Sequence, residues 1–322
     1  MRNPAKILFA ILVMLCAPAA RADEYPSRAI RLVVGYGAGG STDIFARLVA
    51  EYLSKTLGQR VFVENKPGAA GMVAATAVAQ SPPDGYTILF SASSIATDYA
   101  IKQSLSFDFL KELRPVTRVG RAPLVLFANP TLPVQNVQEL IAYAKARPSQ
   151  LFFATVGVGG HVHLAAERFF SEAKIKVSTV PYTGSSQTMT AVVANDVQLG
   201  YDFAGGVGWE MKEAGKLKAL AITSDKRFPT LPDLPSIAET LPGFNETLWF
   251  GLFLPARTDE HIATKIRDAT FQALIGNPEA QSRSLKMGIA LEVNKADEFL
   301  SDTQKDIKIW RDLVKTSNLK FE

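Results

Sequence analysis

The stretch RLVVGYGAGGSTDIFAR, residues 31–47, places an apolar run before the glycine-rich segment GYGAGG and then a segment with helical character. Apolar residues recur at helical spacing as far as Gly58, so the stretch predicts a strand, a loop and a helix. Gly35, Gly37 and Gly40 also satisfy the GxGxxG spacing of dinucleotide-binding loops. The loop could therefore hold a nicotinamide cofactor, hold another anion, or serve only as a tight turn.

The alternation of strands and helices continues along the chain. IRLVV (30–34), VFVEN (61–65) and YTILFS (86–91) predict the strands of a first α/β unit. A second unit begins at LVLFANP (124–130), and its strand LFFATV (151–156) leads through GVGG into the helix HLAAERFFSEA. This repeats the strand, glycine loop and helix of the first unit. Such alternation favours an α/β fold with mostly parallel sheets.

Two lobes are the simplest organisation of these units. We expect the chain to cross between them near 118–125 and to return near 245–252, so that the C-terminal helices join the first lobe. Lobe 1 would then comprise residues 23–122 and 249–322, and lobe 2 residues 123–248. The ligand cleft would lie between the lobes, with one glycine loop offered by each.

The first 22 residues predict export. Arg2 and Lys6 form a basic start, Ile7–Ala17 an apolar core, and Ala20-Arg21-Ala22 a small-x-small cleavage site. We interpret this segment as a signal peptide cut after Ala22, because its apolar core is far shorter than the ~20 residues of a membrane-spanning helix.

Removal of the signal peptide changes the charge of the protein. Three basic residues and no acidic ones are lost, so the formal charge falls from +4 to +1. The single cysteine, Cys16, leaves with the peptide, and the mature chain needs no disulfide. Without a basic cluster, no nucleic-acid partner is expected.

The first glycine loop has the chemistry of an anion site. Loops after parallel strands lie at the carboxyl edge of the sheet, where open α/β proteins bind ligands. The first N–H groups of the following helix lack intrahelical partners and carry partial positive charge. Gly39 and Gly40 would let a ligand approach the backbone, and Ser41, Thr42 or Asp43 would supply the N-cap oxygen.

The nicotinamide alternative has one further observation in its favour. Glu64 lies 24 residues after Gly40, close to the position of a ribose-binding acid. Against it, Asp43 would compete with a pyrophosphate for the same N–H groups, and export is unusual for a nicotinamide enzyme. An exported NAD-dependent oxidoreductase is kept as the alternative from the enzyme class.

Other catalytic arrangements are weak. His161 and His163 share a face only if the segment is extended, and His261 belongs to a distant predicted helix. We expect His161 to cap or precede a helix and His163 to pack on it. We assign no catalytic residue, no metal site and no cofactor.

Several longer segments follow one another in a specific order: YPSRAIRLVVGYGAGGSTDIFARL, SPPDGYTILF, GVGGHVHLAAERFF, VPYTGSSQTMTAVVANDVQLGYDF and GKLKALAITSDKRFPTLPDLPSIAET. In this series the chain resembles the Bug-type, TctC-like periplasmic solute receptors of tripartite tricarboxylate transporters. The resemblance covers nearly all of the mature chain.

The resemblance implies a periplasmic-binding-protein fold of type II. In that fold each lobe is a mostly parallel sheet flanked by helices, and two crossing strands join the lobes. It also implies a periplasmic, monomeric, non-enzymatic receptor that closes on a small organic carboxylate, either a di- or tricarboxylate or an aromatic acid. The implied partners are that ligand and the membrane subunits of a transporter. A receptor that presents its ligand to a membrane signalling protein would have the same fold.

The resemblance further implies a set of ligand-binding residues in the glycine loops and at other cleft positions. These are Gly39, Gly40, Ser41, Thr42, Ser91, Ser93, Gly157, Gly159, His161, Thr183, Gly184, Ser185 and Asp202.

Two positions leave alternatives open. Where the family commonly has Phe-Pro or Pro-Pro, this chain has Tyr36-Gly37, so we add Tyr36 as a residue that either lines the pocket or packs on the helix of lobe 1. Asp202 would meet an amino group of the ligand or hold a water molecule.

Overall fold

The computed structural model describes residues 25–101, 107–156 and 158–317, in which strands and helices alternate. The strands are β1 (Ile30–Val34), β2 (Val61–Asn65), β3 (Thr87–Ala92), β4 (Leu113–Ala128), β5 (Phe152–Val156), β6 (Ser178–Tyr182), β7 (Leu199–Phe203), β8 (Lys218–Ile222), β9 (Thr247–Pro255) and β10 (Ala290–Leu291). The α-helices are α1 (Ser41–Leu57), α2 (Met72–Ala79), α3 (Ser94–Ile101), α4 (Phe109–Glu112), α5 (Val137–Ala146), α6 (His161–Ala173), α7 (Ser185–Ala194), α8 (Val207–Glu213), α9 (Glu260–Leu274), α10 (Pro278–Lys286) and α11 (Ala296–Ser317).

The strands follow the spatial order β2-β1-β3-β9-β4-β7-β5-β6. In the first half of this order β1 pairs in parallel with β2 and β3, and in the second half β5 pairs in parallel with β6 and β7. The long strands β4 and β9 run antiparallel to each other between these groups. The fold is the two-lobed α/β arrangement predicted from the sequence, with helices flanking sheets that are parallel in their outer pairs and antiparallel where β4 and β9 take part.

Strand β4 belongs to both halves. Residues 113–123 pair with β9, and residues 124–128 pair with β7 and β8. Arg118 is buried in the first part of this strand, where its guanidinium group contacts Glu292 and Asp302. The sequence predicted a strand only from residue 124, because the first part is rich in proline, glycine and arginine.

The chain returns to the first half just before β9. The Glu246 N–H donates to the Thr223 carbonyl over 2.8 Å, and the Thr223 hydroxyl accepts from the Leu124 N–H over 2.8 Å. These bonds place the end of the second group of strands beside the point where β4 leaves the first. The lobe boundaries at 122 and 249 stay a prediction.

Helix α1 is fixed to the sheet by an aromatic cluster. The ring of Phe45 lies edge-on to Phe250 at 5.0 Å and to Phe90 at 5.8 Å, and all three side chains are buried. Because Phe45 belongs to the first turns of α1, this packing holds the beginning of the helix next to the ends of β1 and β3.

Most predicted elements are confirmed, with shifted bounds. The helix expected from about Thr188 begins at Ser185, and the helices α3, α4, α8 and α10 and the short strand β10 were not predicted. Across the ranges that the structure describes, none of the helices is both long and apolar enough to span a bilayer. The predicted signal peptide, residues 1–22, and Gly157 lie outside those ranges.

Candidate functional site: a cavity between the two halves

A cavity of about 650 Å³ lies between the two halves of the molecule. Loops that follow β1, β6 and β7 form its walls, together with residues of β4, β9 and the α10–β10 connection. The lining residues are Tyr36, Gly37, Ala38, Gly40, Thr42, Ala122, Ser185, Ser186, Asp202, Phe203, Gly205, Gly206, Val207, Leu248, Phe250, Met287 and Ile289. Five of the predicted ligand-binding residues are among them: Tyr36, Gly40, Thr42, Ser185 and Asp202.

The loop between β1 and α1 is held by Asp43. Its carboxylate accepts from the Gly39 N–H over 2.9 Å, from Arg47 over 2.9 Å and from Asn65 over 2.8 Å. Burial alone would raise the pKa of Asp43, but these hydrogen bonds outweigh burial and lower it. Gly39 has a φ of 81°, a left-handed conformation that glycine adopts without strain. The Asp43 carboxylate therefore stabilises the backbone conformation of this loop.

The expected N-cap assignment was wrong. The N-cap of α1 is Gly40, which has no side chain, and Asp43 turns back to Gly39 instead. Thr42 lies inside the helix and lines the cavity. Because Gly40 offers no side-chain oxygen, the first-turn N–H groups keep their capacity to donate to an anion.

Tyr36 combines the two roles that the sequence left open. The residue lines the cavity, and its hydroxyl lies 2.6 Å from the Ser94 Oγ at the start of α3. Its carbonyl accepts from the Asn65 side chain over 3.0 Å. The side chain is thus fixed to lobe 1 at its far end while it forms part of the cavity wall.

The opposite wall is organised by Asp202 at the end of β7. This buried carboxylate accepts from the Gly208 N–H over 2.8 Å, and also from the Phe203 N–H and the Ser185 hydroxyl. Burial raises its pKa, and these hydrogen bonds oppose the shift. A Cβ atom added to Gly206 would lie 2.5 Å from the Asp202 Oδ2, so only glycine fits over the carboxylate. Asp202 therefore ties the β6–α7 loop to the β7–α8 loop.

The two halves meet in a backbone contact at the edge of the cavity. A Cβ atom added to Gly205 would lie 2.9 Å from the Met287 carbonyl carbon and 3.2 Å from the Gly288 nitrogen. One added to Gly288 would lie 2.7 Å from the Gly205 nitrogen. Glycine at both positions therefore permits a contact that any other residue would prevent.

The second glycine loop lies away from this cavity. Gly159, with a φ of 76°, donates its N–H to the Nδ1 of His163 over 2.9 Å. His161 is the first residue of α6, is buried, and packs edge-on against Trp310 of α11 with ring centroids 5.8 Å apart. The His161 Nε2 lies 3.3 Å from the Glu246 Oε1. None of these side chains lines the cavity.

His161 and Glu246 lie in a buried ionisable cluster. Burial lowers the pKa of His161 to about 3, so its imidazole is neutral at neutral pH. Burial also raises the pKa of Glu246 to about 8, against the opposing charge of Arg168, whose Nη1 lies 3.0 Å from the Glu246 Oε2. The cluster joins α6 to the residue that precedes β9, and through Trp310 to α11.

The remaining predicted residues occupy other positions. Ser91 and Ser93 are buried at the end of β3 and just after it. The exposed Thr183 donates its hydroxyl to the Gln187 side chain over 2.7 Å, and Gly184 is the N-cap of α7. None of these four is among the residues that line the cavity.

Sequence reasoning missed the loop between β7 and α8. Gly205, Gly206 and Val207 line the cavity, whereas no role was predicted for them. The signal was present as a glycine pair that follows the predicted strand VQLGYDF after one alanine. The following helix α8 has only seven residues, too few for its periodicity to stand out.

Volume alone does not identify the site. A larger depression of about 870 Å³ lies between Tyr25, the end of α1 and α9. It contains no residue of a glycine loop and involves one half of the molecule only. The 650 Å³ cavity, by contrast, joins both halves at the carboxyl ends of strands such as β1 and β7.

Comparisons with known proteins identify relatives of similar sequence and fold. The sequence matches the family described as "Tripartite tricarboxylate transporter family receptor" over residues 45–319. Protein BugT of Bordetella pertussis is 32% identical over 98% of this chain and 97% of its own. MatC of Rhodopseudomonas palustris, solved with bound malate, is 29% identical over 90% of this chain and 100% of its own, with a TM-score of 0.72. An R. palustris protein solved with adipate is 31% identical over 92% of this chain and 99% of its own, with a TM-score of 0.77.

Proposed function

Because this chain belongs to the tripartite tricarboxylate transporter receptor family, we propose that it captures a small organic carboxylate between its two lobes in the periplasm. The loaded receptor delivers the ligand to the membrane subunits of a tripartite tricarboxylate-type transporter. The class of candidate ligands comprises di- and tricarboxylates and aromatic acids. The receptor acts as a monomer, with lobe boundaries near residues 122 and 249, and performs no chemical reaction on its ligand.

One observation carries the proposal. The 650 Å³ cavity lies between the halves, and two helices of 17 and 10 residues, α1 and α7, begin at its walls. Helix starts stabilise negative charge through their free N–H groups and dipole. The proteins solved with malate and adipate share the fold over at least 90% of this chain, which supports a carboxylate as the ligand class.

We assign the following ligand-binding roles to the residues of the cavity. Gly40 and Thr42 hold the ligand carboxylate at the start of α1, together with the neighbouring Ser41. Ser185 approaches from the other lobe, and the Tyr36 ring covers the ligand. The predicted residues outside the cavity, such as His161 and Ser93, contact the ligand only if the cleft extends to the start of α6 on closure.

A thermal-shift screen tests the binding function. The protein purified from the periplasm of an expression host is heated with malate, adipate, citrate, benzoate or NAD, and hits are measured by calorimetry. A ligand of the native state at ~100 times its Kd adds about 2.7 kcal/mol, a shift of several degrees. We expect a shift with at least one carboxylate. Stabilisation by NAD alone would support the oxidoreductase instead.

Delivery to a transporter needs a cellular test. Uptake of the radiolabelled ligand is compared between the source bacterium, a strain lacking this gene, and the same strain carrying the gene on a plasmid. We expect uptake to fall on deletion and to return on complementation. Unchanged uptake, together with tight binding in vitro, would favour the sensing role over transport.

A further inference from the structure

Part of the cavity wall is apolar. Phe203 and Val207 face it from the second half, and Leu248, Phe250 and Ile289 from the strands and the connection of the first. Apolar walls gain free energy only when the ligand removes them from water with apolar surface of its own. A ligand that is polar along its whole length, such as citrate, would leave this wall without a partner.

The charge of the cavity also discriminates between ligands. Asp202 is its one charged side chain among the described lining residues, and none of those residues is Lys, Arg or His. The Ser185 hydroxyl at the start of α7 donates to the Asp202 carboxylate. The protein therefore already holds an anion of its own beside this helix, where a second ligand carboxylate would have to bind.

The start of α1 differs in this respect. The negative charge of Asp43 in the first turn is matched by Arg47, whose Nε lies 2.9 Å away, and no side chain caps the helix at Gly40. A sphere of 650 Å³ is about 11 Å across, so every ligand group lies within range of repulsion by Asp202. One carboxylate can be neutralised at α1, whereas a second one meets an anion.

We infer that this receptor selects monocarboxylates with an apolar body, such as medium-chain fatty acids or arene carboxylic acids, over di- and tricarboxylates. The single carboxylate binds at the start of α1, and the body lies against Phe203, Leu248, Phe250 and Ile289. The inference rests on the proposed carboxylate-binding function; it keeps the aromatic acids of the proposed class, disfavours the di- and tricarboxylates, and adds aliphatic monocarboxylates.

Matched ligand pairs test the inference. Hexanoate and adipate differ by one terminal carboxylate, as do benzoate and terephthalate, and their Kd values are measured by calorimetry at pH 7 with the intact exported protein. We expect the better-bound pair to favour the monocarboxylate at least tenfold. Equal or tighter binding of the dicarboxylate overturns the inference and leaves the receptor function standing. Failure of every carboxylate to bind overturns both.

Two variants separate the effect of the Asp202 charge on ligand selectivity from the effect of the apolar wall. Asp202→Asn removes the charge, and the dicarboxylate-to-monocarboxylate Kd ratio should then fall at least threefold, a readout that is insensitive to a general weakening of the loop. Val207→Thr places a hydroxyl on the apolar wall at nearly constant volume and should weaken monocarboxylate binding about threefold or more. Val193→Thr, on α7 outside the cavity, is the matched control. An unchanged ratio in the first variant, or unchanged affinity in the second, contradicts the assigned role.

Discussion

Gly205→Ala tests whether the backbone contact between the halves belongs to the ligand-bound state. The added Cβ would lie 2.9 Å from the Met287 carbonyl carbon and 3.0 Å from its oxygen, both backbone atoms that cannot rotate away. The φ of Gly205 lies outside the left-handed region, so alanine itself is unstrained there. Such overpacking costs about 1–3 kcal/mol unless the halves move apart.

The free-energy cost of this clash should weaken ligand binding. If the cleft of the unliganded variant opens to relieve the clash, closing it on a ligand restores the clash, and Kd rises about 5-fold to 150-fold. Calorimetry with the best carboxylate measures this change, and urea unfolding without ligand should change little.

Gly37→Ala is the matched control for unliganded stability, since an added Cβ there meets no protein atom within 4 Å. Wild-type affinity in Gly205→Ala would refute the reasoning. A large loss of unliganded stability with unchanged Kd would mean that the contact is the same in both states.

Substitutions at three further positions test the buried polar contacts. His161→Phe should remove a pH dependence of the free energy of unfolding. The imidazole gains a proton below about pH 6.5 in the unfolded chain but only below about pH 3 in the folded protein. Between these values the stability of the wild type, measured by urea unfolding, should fall relative to the variant by up to about 1.4 kcal/mol per pH unit as the pH is lowered. Arg118→Met should cost about 1–2 kcal/mol of unfolding free energy, because Glu292 and Asp302 lose the buried guanidinium group while Arg121 still contacts Glu292, and Arg118→Lys should cost less; an equal loss in both would contradict the ion-pair explanation. Tyr36→Phe should cost about 1 kcal/mol through loss of the hydrogen bond to Ser94 and, by calorimetry, leave ligand affinity within about twofold, whereas Tyr36→Leu should weaken binding.

The sequence predicts those parts of the fold that depend on local pattern. Strand β1 and helix α1 were predicted with nearly correct bounds, because apolar periodicity and glycine signals lie within a few residues of each other. The first part of β4 was missed because Pro115 and Arg118 are unusual in a buried strand. Arg118 is stabilised there by Glu292, 174 residues further along the chain, and no local pattern reveals such a partner.

Prediction of the cavity from the sequence has the same limit. Glycine loops at the ends of strands could be located from the sequence, as for Gly40 and Ser185. Which loops share one cavity depends on how the strands and helices pack in three dimensions. For that reason the loop with Gly205 and Gly206 joins the β1–α1 loop, whereas His161 packs against α11.

Strand β4 limits how receptors of this build can be recombined. It contributes residues 113–123 to one sheet and residues 124–128 to the other without interruption. A foreign half joined at that junction must continue the same strand in register, because no loop separates the two parts of β4 and could absorb a mismatch. Binding specificity should therefore be transplantable between related receptors by exchanging single loops, such as the one that contains Gly205 and Gly206, while exchange of whole lobes should yield misfolded chimeras.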